Sequence, residues 1–178
     1  IVEQAGLVLK ASAGPDGSQP PFTFEMGVGI PLFLTSMKCR DQNLRNQALQ
    51  LLRQAPPMQG FFKCTPVALL AGSLAKIEED YAQMMRKVES YRGLPDIPIS
   101  TTGATLMRTM PEPLPMEARV SFRGVFRPIN GFPPGITDSD VERWGRAPDQ
   151  LYLNYSRHTF DPHRNTWQQV SEIVPLEA

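Results

Sequence analysis

Residues 31–52 read PLFLTSMKCRDQNLRNQALQLL, and this stretch decides how the first half of the chain folds. Two apolar stretches flank a short polar corner that runs from Lys38 to Asp41. The residues that repeat at the spacing of one buried helical face are Ile30, Phe33, Leu34 and Met37 before the corner and Leu44, Ala48, Leu51 and Leu52 after it. Pro31 suits a first helical turn, and Asp41 suits the N-cap of the second helix. The stretch therefore predicts an αα-hairpin, which Pro56 ends.

A shorter helix is predicted at the start of the chain, where residues 1–12 read IVEQAGLVLKAS. Its apolar residues fit a helix with one buried side and are Ile1, Val2, Ala5, Leu7, Val8 and Leu9. Gly14 and Pro15 end this helix, and the GPDGSQPPF stretch is typical of a loop. Because the chain starts within a helical pattern and without methionine, we expect it to be a fragment of a longer protein.

The clearest periodic pattern predicts a third, long helix that begins near Thr65, with Pro66 in its first turn and Gly93 at its end. Steps of three and four residues connect its apolar stripe, which consists of Val67, Leu70, Leu74, Ile77, Tyr81, Met84, Val88 and Tyr91. A stripe of this kind also occurs in intermolecular coiled coils. Further apolar residues widen the face here, which favours packing against the preceding helices.

The second half of the chain changes character. Residues 93–117 contain scattered prolines and little periodicity, so we expect a connector there. RVSFRGVFR, residues 119–127, alternates between apolar and polar residues and predicts a strand, and QLYLNYSRHTF, residues 150–160, predicts a second. The turn residues DPHRN favour a hairpin, so TWQQVSEIV is interpreted as a third strand, although its apolar residues also fit a helical spacing.

Between the first two strands, residues 137–144 read TDSDVERW and predict one helical turn capped by Thr137 or Asp138. The whole pattern predicts an α+β fold, in which antiparallel helical hairpins with one long helix precede a small antiparallel β-sheet. The expected parts are a helical body over residues 1–92, the connector over residues 93–117, and a hairpin and sheet region over residues 118–178 that packs on the helical body.

Composition limits the class of protein. The 18 basic residues balance the 18 acidic ones, so the chain as a whole offers no field that would hold a polyanion. No apolar run approaches the roughly 20 residues of a membrane helix. Cys39 and Cys64 are too few for a disulfide framework or an all-cysteine zinc site, and we expect reduced thiols in an intracellular protein.

The residues that could carry chemistry form no convincing catalytic or metal-binding set. His158, Asp161 and His163 are the closest cluster of metal-ligand types, but a strand end followed by an Asp-Pro turn points such side chains in diverging directions. Cysteine catalysis needs a histidine near Cys39, and both histidines lie far later in the sequence. We therefore assign no catalytic residue, no cofactor and no metal, and expect a binding module rather than an enzyme.

Two charged segments have both a functional and a structural interpretation. Residues 78–80, Glu-Glu-Asp on the long helix, are interpreted as a solvated face rather than an acid/base pair. The second helix of the hairpin could present four side chains to a groove of DNA, those of Arg45, Gln47, Gln50 and Arg53. Any solvent-facing helix carries such residues, however. Alternatively, Arg40 or Arg45 pairs with Asp41 or with a helix carboxyl end, which is a structural role.

Several short motifs occur in an order that resembles the C-terminal part of fungal binuclear zinc-cluster transcription factors. They are the phenylalanine-rich FTFEM, Ile30 to Leu32 at a helix start, the KCRD corner, Arg45 with Ala48, Leu51 and Leu52, Gly60 before Phe61, and Ile77 to Glu79 in the long helix. PMEARVSF and Trp167 resemble features near the closing strands of that family. The resemblance covers residues 1–92 and, more loosely, residues 115–174.

Two departures from that family stand out. The six-cysteine DNA-binding cluster is absent, so this chain cannot bind DNA in the manner of the family. The charged R-E-G-x-W of the family is here MQGFF, residues 58–62. The resemblance carries over no catalytic residue.

The resemblance implies a non-catalytic regulatory or interaction module of a fungal transcription regulator in the nucleus, without its own DNA-binding element. Its expected partners are the N-terminal part of the same protein, a second copy or the transcription machinery, with no direct DNA contact and no membrane. The competing hypothesis is a small ligand-binding protein or enzyme derived from this fold, with a pocket between helices and sheet. The residues chosen for that pocket lie near predicted element ends and are Phe61, Phe62, Tyr155, His158 and Trp167.

Overall fold

The structure is a computed structural model that describes residues 1–91, 114–134, 136–143, 149–161 and 163–176. It confirms the predicted α+β class, with helices first and an antiparallel sheet after them. The chain divides into two compact units, Ile1–Pro115 and Met116–Ala178, here called the helical unit and the sheet unit. Most of the predicted connector and the predicted helix end at Gly93 lie outside the described residues. None of the described helices is both long enough and apolar enough to cross a membrane.

The described part of the helical unit consists of helices and three very short strands. The helices are α1 (Val2–Ser12), α2 (Gly29–Lys38), α3 (Gln42–Gln54) and α4 (Cys64–Tyr91), and the strands are β1 (Phe22–Thr23), β2 (Met58–Gln59) and β3 (Phe62–Lys63). β1 pairs with β2 in parallel, and β2 pairs with β3 antiparallel. These strands are not predicted from the sequence, because two residues are too few to show an alternating pattern.

The structure confirms the predicted αα-hairpin. At the end of α2, the Cys39 N–H donates to the Thr35 carbonyl at 3.0 Å. Asp41 is the N-cap of α3, and its Oδ1 accepts a hydrogen bond from the Leu44 N–H at 2.9 Å. The polar corner between the helices is therefore a tight joint, with a backbone bond at the end of α2 and a side-chain cap at the start of α3.

The buried faces of α2 and α3 are rotated relative to the predicted faces. Leu32 and Ser36 of α2 are buried, whereas Leu34 is 52% exposed. In α3, Arg45 is buried, whereas Leu44 is 43% exposed. The predicted burial of Leu34 and Leu44 is wrong. The prediction considers only large hydrophobic residues, whereas the buried faces of these helices also contain a small residue, Ser36, and a charged one, Arg45.

α4 begins one residue earlier than predicted, at Cys64, whose N–H donates to the Pro57 carbonyl at 2.9 Å. Its buried stripe consists mainly of small residues in steps of four and three: Cys64, Ala68, Ala71, Ala75, Glu78 and Ala82. Leu74 of the predicted stripe is also buried, but Met84 is 52% exposed. Because small side chains let helix axes approach closely, this stripe suits the packing of α4 against α2 and α3.

α1 is confirmed as a helix that contacts α3 and places Ala5 and Leu9 in the core. The prediction of a single buried side is wrong for Ile1, Leu7 and Val8, which are 76%, 59% and 50% exposed. The loop that follows is held against α1 by Gln19, whose Nε2 donates to the Leu9 carbonyl at 2.6 Å. The core of this unit is formed by Ala5, Leu9, Leu32, Ala48, Leu52, Ala55, Cys64 and Ala68.

The described part of the sheet unit is a three-stranded antiparallel sheet with short helical turns. Its elements are a 3₁₀ turn (Met116–Ala118), β4 (Val120–Phe126), a second 3₁₀ turn (Pro128–Asn130), α5 (Asp138–Arg143), β5 (Tyr152–Asp161) and β6 (Thr166–Pro175). The strand order is β4-β5-β6, and a bulge at Arg123 interrupts the pairing of β4 with β5. All three predicted strands are confirmed, including TWQQVSEIV.

Local signals in the sheet unit are also confirmed. Asp161 Oδ1 accepts a hydrogen bond from the His163 N–H at 2.9 Å in the turn between β5 and β6, and Asn165 adopts a φ of 50°, which asparagine tolerates. Thr137 precedes α5 as one of the predicted caps. The Asp140 carboxylate accepts from the Thr137 N–H at 3.0 Å and from its hydroxyl at 2.6 Å.

Candidate functional site

The β2–β3 hairpin is a fixed support for the aromatic residues around it. Gln59 is 3% exposed, and its Oε1 accepts a hydrogen bond at 2.7 Å from the Gly29 N–H, one of the donors that α2 leaves unpaired at its N-terminus. Gly60 has a φ of 56°, which glycine adopts without strain at the first loop position of a tight hairpin. The Gly60 N–H donates to the Thr23 carbonyl at 2.8 Å. The hairpin is therefore tied to both α2 and β1.

Apolar side chains around this hairpin remain in solvent. Phe61, in the hairpin loop, is 99% exposed, and Phe24 is 91% exposed. Phe22 and Met26 are 41% and 48% exposed. The rings of Phe22 and Phe24 meet edge to face with centroids 4.9 Å apart, and Met26 Sδ lies beside Gly60. Phe22, Phe24, Met26 and Phe61 are called the aromatic patch below.

The side chain of Phe62 points into the helical unit, whereas that of its neighbour Phe61 points into solvent. The Phe62 ring lies beside that of Phe33, with centroids 6.2 Å apart, and packs against the helical core. Adjacent residues of an extended segment point to opposite sides, so the hairpin directs one ring inward and the other outward. Of the two predicted pocket residues in this unit, Phe62 belongs to the core and Phe61 to the surface.

An ion pair is buried among α2, α3 and α4. Arg45 Nη2 lies 2.6 Å from Glu78 Oε2, and the two side chains are 5% and 4% exposed. Arg45 Nε also donates to the Ser36 carbonyl at 3.1 Å, near the carboxyl end of α2. This geometry confirms the predicted pairing of Arg45 with a helix carboxyl end. It contradicts the solvated face predicted for Glu78, and it removes Arg45 from any surface that could read DNA.

The two neighbouring carboxylates do not form an acid/base pair with Glu78. Glu79 accepts a hydrogen bond from Gln42 Nε2 at 2.9 Å, and Asp80 is exposed to solvent. Successive residues of a helix do not face each other, so the run of three carboxylates points in three directions. Of the three carboxylates, only that of Asp80 is exposed, as the prediction of a solvated face expects.

The two cysteines have different surroundings within the helical unit. Cys64 is 1% exposed, and its burial raises the pKa of its thiol, which keeps it protonated at neutral pH. Cys39 lies half-buried in the corner between α2 and α3. It belongs to the helical unit, whereas His158 and His163 belong to the sheet unit.

An open groove of about 730 Å³ lies beside the end of α1 in the helical unit. Residues that line it include Leu9, Lys10, Gly14, Leu51 and Gln54, and none of the five predicted pocket residues is among its lining. In the adjoining loop, Asp16 Oδ1 accepts hydrogen bonds from the Ser18 hydroxyl at 2.7 Å and the Ser18 N–H at 3.0 Å. These two bonds lower the pKa of Asp16 and stiffen the loop.

The β5–β6 register places the three predicted pocket residues of the sheet unit on two different faces. Tyr155 is 2% exposed, and its hydroxyl donates to Glu172 Oε2 at 2.7 Å. Arg157 Nε lies 2.6 Å from the other oxygen of that carboxylate. Strand alternation puts His158 and Trp167 on the opposite face. These three residues therefore do not line one wall together, and the pocket between helices and sheet stays a prediction.

The metal-ligand residue types near the β5–β6 turn do not converge. His158 and Asp161 lie on opposite faces of the sheet by strand alternation. Asp161 uses Oδ1 for the His163 N–H and Oδ2 for Gln168 Nε2 at 3.0 Å. Across the part of the chain that the structure describes, no three His, Cys, Asp or Glu side chains come together as metal ligands must.

Comparison of the chain with protein-family models, with curated proteins and with solved structures gives no match. The aromatic patch is a feature of the helical unit that folding does not explain, because burial of its rings would be favourable. The sequence pattern does not identify Phe22, Phe24 and Met26 as surface residues, since phenylalanine and methionine are usually buried. Their only sequence signal is the position of FTFEM between a predicted loop and a predicted helix.

Proposed function

We propose that the chain is a non-catalytic interaction module of a transcription regulator, that it acts in the nucleus without a DNA-binding element of its own, and that the aromatic patch is its contact surface. The observation that carries this proposal is the exposure of Phe24 and Phe61, 91% and 99%, beside a hydrogen-bonded hairpin. Burial of a side chain of this size contributes about 1.5–3 kcal/mol. A partner that covers both rings gains this free energy on binding.

The backbone beneath the patch is ordered before any partner binds. Phe22 and Thr23 pair with β2, and Gly60 is bonded to the Thr23 carbonyl. Little backbone entropy is therefore lost on association, which favours binding. Phenylalanine and methionine are also enriched at the centres of protein interfaces, where charged residues are depleted.

The location of the patch in the sequence supports the same assignment. Phe22, Phe24 and Met26 belong to the stretch that resembles the phenylalanine-rich motif of fungal zinc-cluster regulators. Phe61 lies in MQGFF, which stands where that family has R-E-G-x-W. The tryptophan of that motif aligns with the core residue Phe62, Phe61 takes its variable position, and Met58 and Gln59 stand in place of its two charged residues.

The polar groups that the sequence offered for catalysis have structural partners. Arg45 and Glu78 pair with each other, Glu79 accepts from Gln42, and Cys64 is enclosed in the core. These engagements favour a module that binds over one that turns over a substrate.

A second copy of the chain is the partner that the surface fits best. Glu25 lies between two patch residues, Lys63 ends β3, and both side chains are exposed. The patch is therefore bordered by one charge of each sign. Two copies related by a two-fold axis can place each Glu25 carboxylate opposite the ammonium of the other copy's Lys63 around the apolar centre.

Sedimentation equilibrium of the whole chain over a range of concentrations tests this proposal. We expect a reversible monomer–dimer equilibrium that the double variant Phe24→Ser/Phe61→Ser shifts to monomer. Leu34→Ser is the matched control, because Leu34 is 52% exposed on α2 and lies outside the patch. This control should keep the dimer, and circular dichroism should show that all variants remain folded.

A chain that stays monomeric at its highest soluble concentration contradicts a second copy as the partner, and a dimer that the double variant leaves intact contradicts the aromatic patch as the contact surface. In the first case, binding of the other two expected partners, the N-terminal part of the same protein or the transcription machinery, would remain to be measured with the same variants. In the second case, the contact surface is elsewhere on the chain.

A further inference from the structure

A pair of aromatic residues lies near the free end of the β5–β6 hairpin. Phe160 and Trp167 are directly opposite in the register, and their ring centroids are 5.4 Å apart with the planes tilted by 58°. They are 44% and 53% exposed. Cross-strand aromatic pairs stabilise hairpins, but a pair that only stabilises does not need half of each ring in solvent.

The exposed pair belongs to one open face of the sheet. Along β5 and β6, His158, Phe160, Trp167 and Gln169 are exposed, while the residues between them are half-buried on the other side. Arg123, at the bulge of β4, reaches the same face, because its Nε donates to Ser156 Oγ at 3.0 Å. These five residues, Arg123, His158, Phe160, Trp167 and Gln169, are called the aromatic face below.

The polar groups of the aromatic face are mainly hydrogen-bond donors. Arg123 carries a guanidinium, Gln169 an amide that already donates to Ser156 Oγ at 3.1 Å, and Trp167 an indole N–H. The carboxylates within these strands, Asp161 and Glu172, both lie on the opposite face by the register. The aromatic face therefore combines stacked rings with donors and, within β4, β5 and β6, has no carboxylate.

We propose that the aromatic face is a docking site for a proline-rich peptide in the polyproline II conformation. Such a peptide presents apolar pyrrolidine rings, and its prolines carry carbonyl acceptors but no N–H donors. Pyrrolidine rings pack on Phe160 and Trp167, and the carbonyls accept from Trp167, Gln169 and Arg123. Proline-rich segments bind aromatic-lined grooves with little loss of entropy, because polyproline II is already formed in solution.

Complementarity of charge favours this occupant over a single-stranded nucleic acid, which also stacks on aromatic rings. Nucleic-acid binding depends on several Lys or Arg contacts to phosphates. The aromatic face offers one arginine and one histidine, and the chain has no net positive charge. A neutral peptide rich in acceptors fits this combination better than a polyanion does.

The docking site adds a class of partner, a proline-rich peptide, to the proposed interaction function. Its biological role rests on that proposed function, but its binding of the peptide does not. It uses none of the residues of the aromatic patch. The two proposals can therefore fail separately, because Phe24→Ser/Phe61→Ser should leave the aromatic face intact.

Fluorescence anisotropy of fluorescein-labelled decaproline, titrated with the whole chain, tests the docking site. We expect a saturable rise in anisotropy, and no rise with a glycine–serine peptide of equal length. Trp167→Ala should weaken binding about thirtyfold, which is the loss expected of an aromatic anchor. Phe122→Ala is the matched control, since Phe122 is 41% exposed on the other face of the same sheet, and it should change affinity by no more than about twofold.

Trp167→Phe keeps the test decisive if Trp167→Ala unfolds the hairpin, because it retains a ring against Phe160 and removes only the indole donor. It should weaken decaproline binding about three- to tenfold, the effect of one lost hydrogen bond, and an unchanged affinity would count against the indole as a donor to the peptide. Saturable binding that Phe24→Ser/Phe61→Ser leaves unchanged supports the site even if the chain never dimerises. Absence of decaproline binding, equal loss in Phe122→Ala and Trp167→Ala, or tighter binding of an oligothymidylate than of decaproline overturns the proposal.

Discussion

The Arg45 guanidinium lies 2.6 Å from the Glu78 carboxylate, and both side chains are almost fully buried. Because Arg45 also donates to the Ser36 carbonyl, one side chain connects α2, α3 and α4. Two charges removed from water gain enough from each other only when the geometry is good and further hydrogen bonds are made. The pair therefore depends on both partners being present.

Removal of one partner should destabilise the helical unit strongly. Glu78→Ala leaves the buried guanidinium uncompensated and should lower the free energy of unfolding by about 3–5 kcal/mol, measured by urea denaturation with circular dichroism. The double variant Arg45→Met/Glu78→Leu removes both charges and should be markedly more stable than Glu78→Ala. Glu79→Ala is the control and should cost about 1 kcal/mol or less. A loss of that small size for Glu78→Ala would contradict a buried, paired carboxylate.

The N-cap of α3 should have a smaller and separable effect. Asp41→Ala removes the acceptor of the Leu44 N–H and should lower the free energy of unfolding by about 1 kcal/mol. Asp41→Asn retains an oxygen acceptor and should keep most of this stability. Equal losses for alanine and asparagine in the same urea experiment would show that the cap bond is not the cause.

Local structure in this chain is predictable because its causes are local. Asp41 and Thr137 precede helices as the predicted caps, and the DPHRN turn joins two strands as predicted. The inward faces of the helices are less predictable, because they depend on which side chains a neighbouring helix can accept. Glu78 becomes buried only because Arg45 comes from another helix, and no pattern within α4 contains that information.

Gly29 should tolerate no larger residue. A Cβ at this position would lie 2.8 Å from Phe62 Cδ1, 2.9 Å from Cys64 Sγ and 2.9 Å from Gln59 Oε1. Gly29→Ala should therefore lower the free energy of unfolding by about 1–3 kcal/mol through overpacking. Gly124→Ala is the matched control, because no atom lies within 4 Å of a Cβ there. Equal stability of the two variants in thermal denaturation would contradict the close packing at the start of α2.

Cys64 should make the helical unit less stable in alkaline solution. Burial raises the pKa of the Cys64 thiol in the folded chain. The unfolded chain then loses this proton first as the pH rises, so the free energy of unfolding falls once the pH exceeds the ordinary thiol pKa of about 8.5. The fall continues until the pH passes the raised value.

Urea denaturation between about pH 7 and about pH 10 measures this slope, and Cys64→Ala should show a shallower fall with pH than the unmodified chain. Cys39 serves as the internal comparison, because it is half-buried. A thiol reagent should modify Cys39 first in the folded chain and Cys64 only with unfolding. Rapid modification of both would contradict the burial of Cys64.

The candidate surfaces were harder to predict than the elements that carry them. Phe61, Tyr155 and Trp167 are all aromatic residues chosen from the sequence for the same pocket, yet one is almost fully exposed, one is buried and one is half-exposed. The hydrophobicity of an aromatic residue cannot predict whether it is buried or exposed, because a ring that packs and a ring that stays in solvent have the same hydrophobicity. What separates them is the direction set by the Gly60 turn and by the β5–β6 register.

The inward positions of α4 limit how the sequence of this helix can vary over evolution. Ala71 and Ala75 are nearly fully buried, so a larger residue at either position would push the neighbouring helices apart, whether it is polar or apolar. The outward positions Leu69 and Met84 face solvent and can change in size and polarity at little cost. Divergent copies of this chain should therefore keep small residues along one side of α4 while the large hydrophobic residues drift.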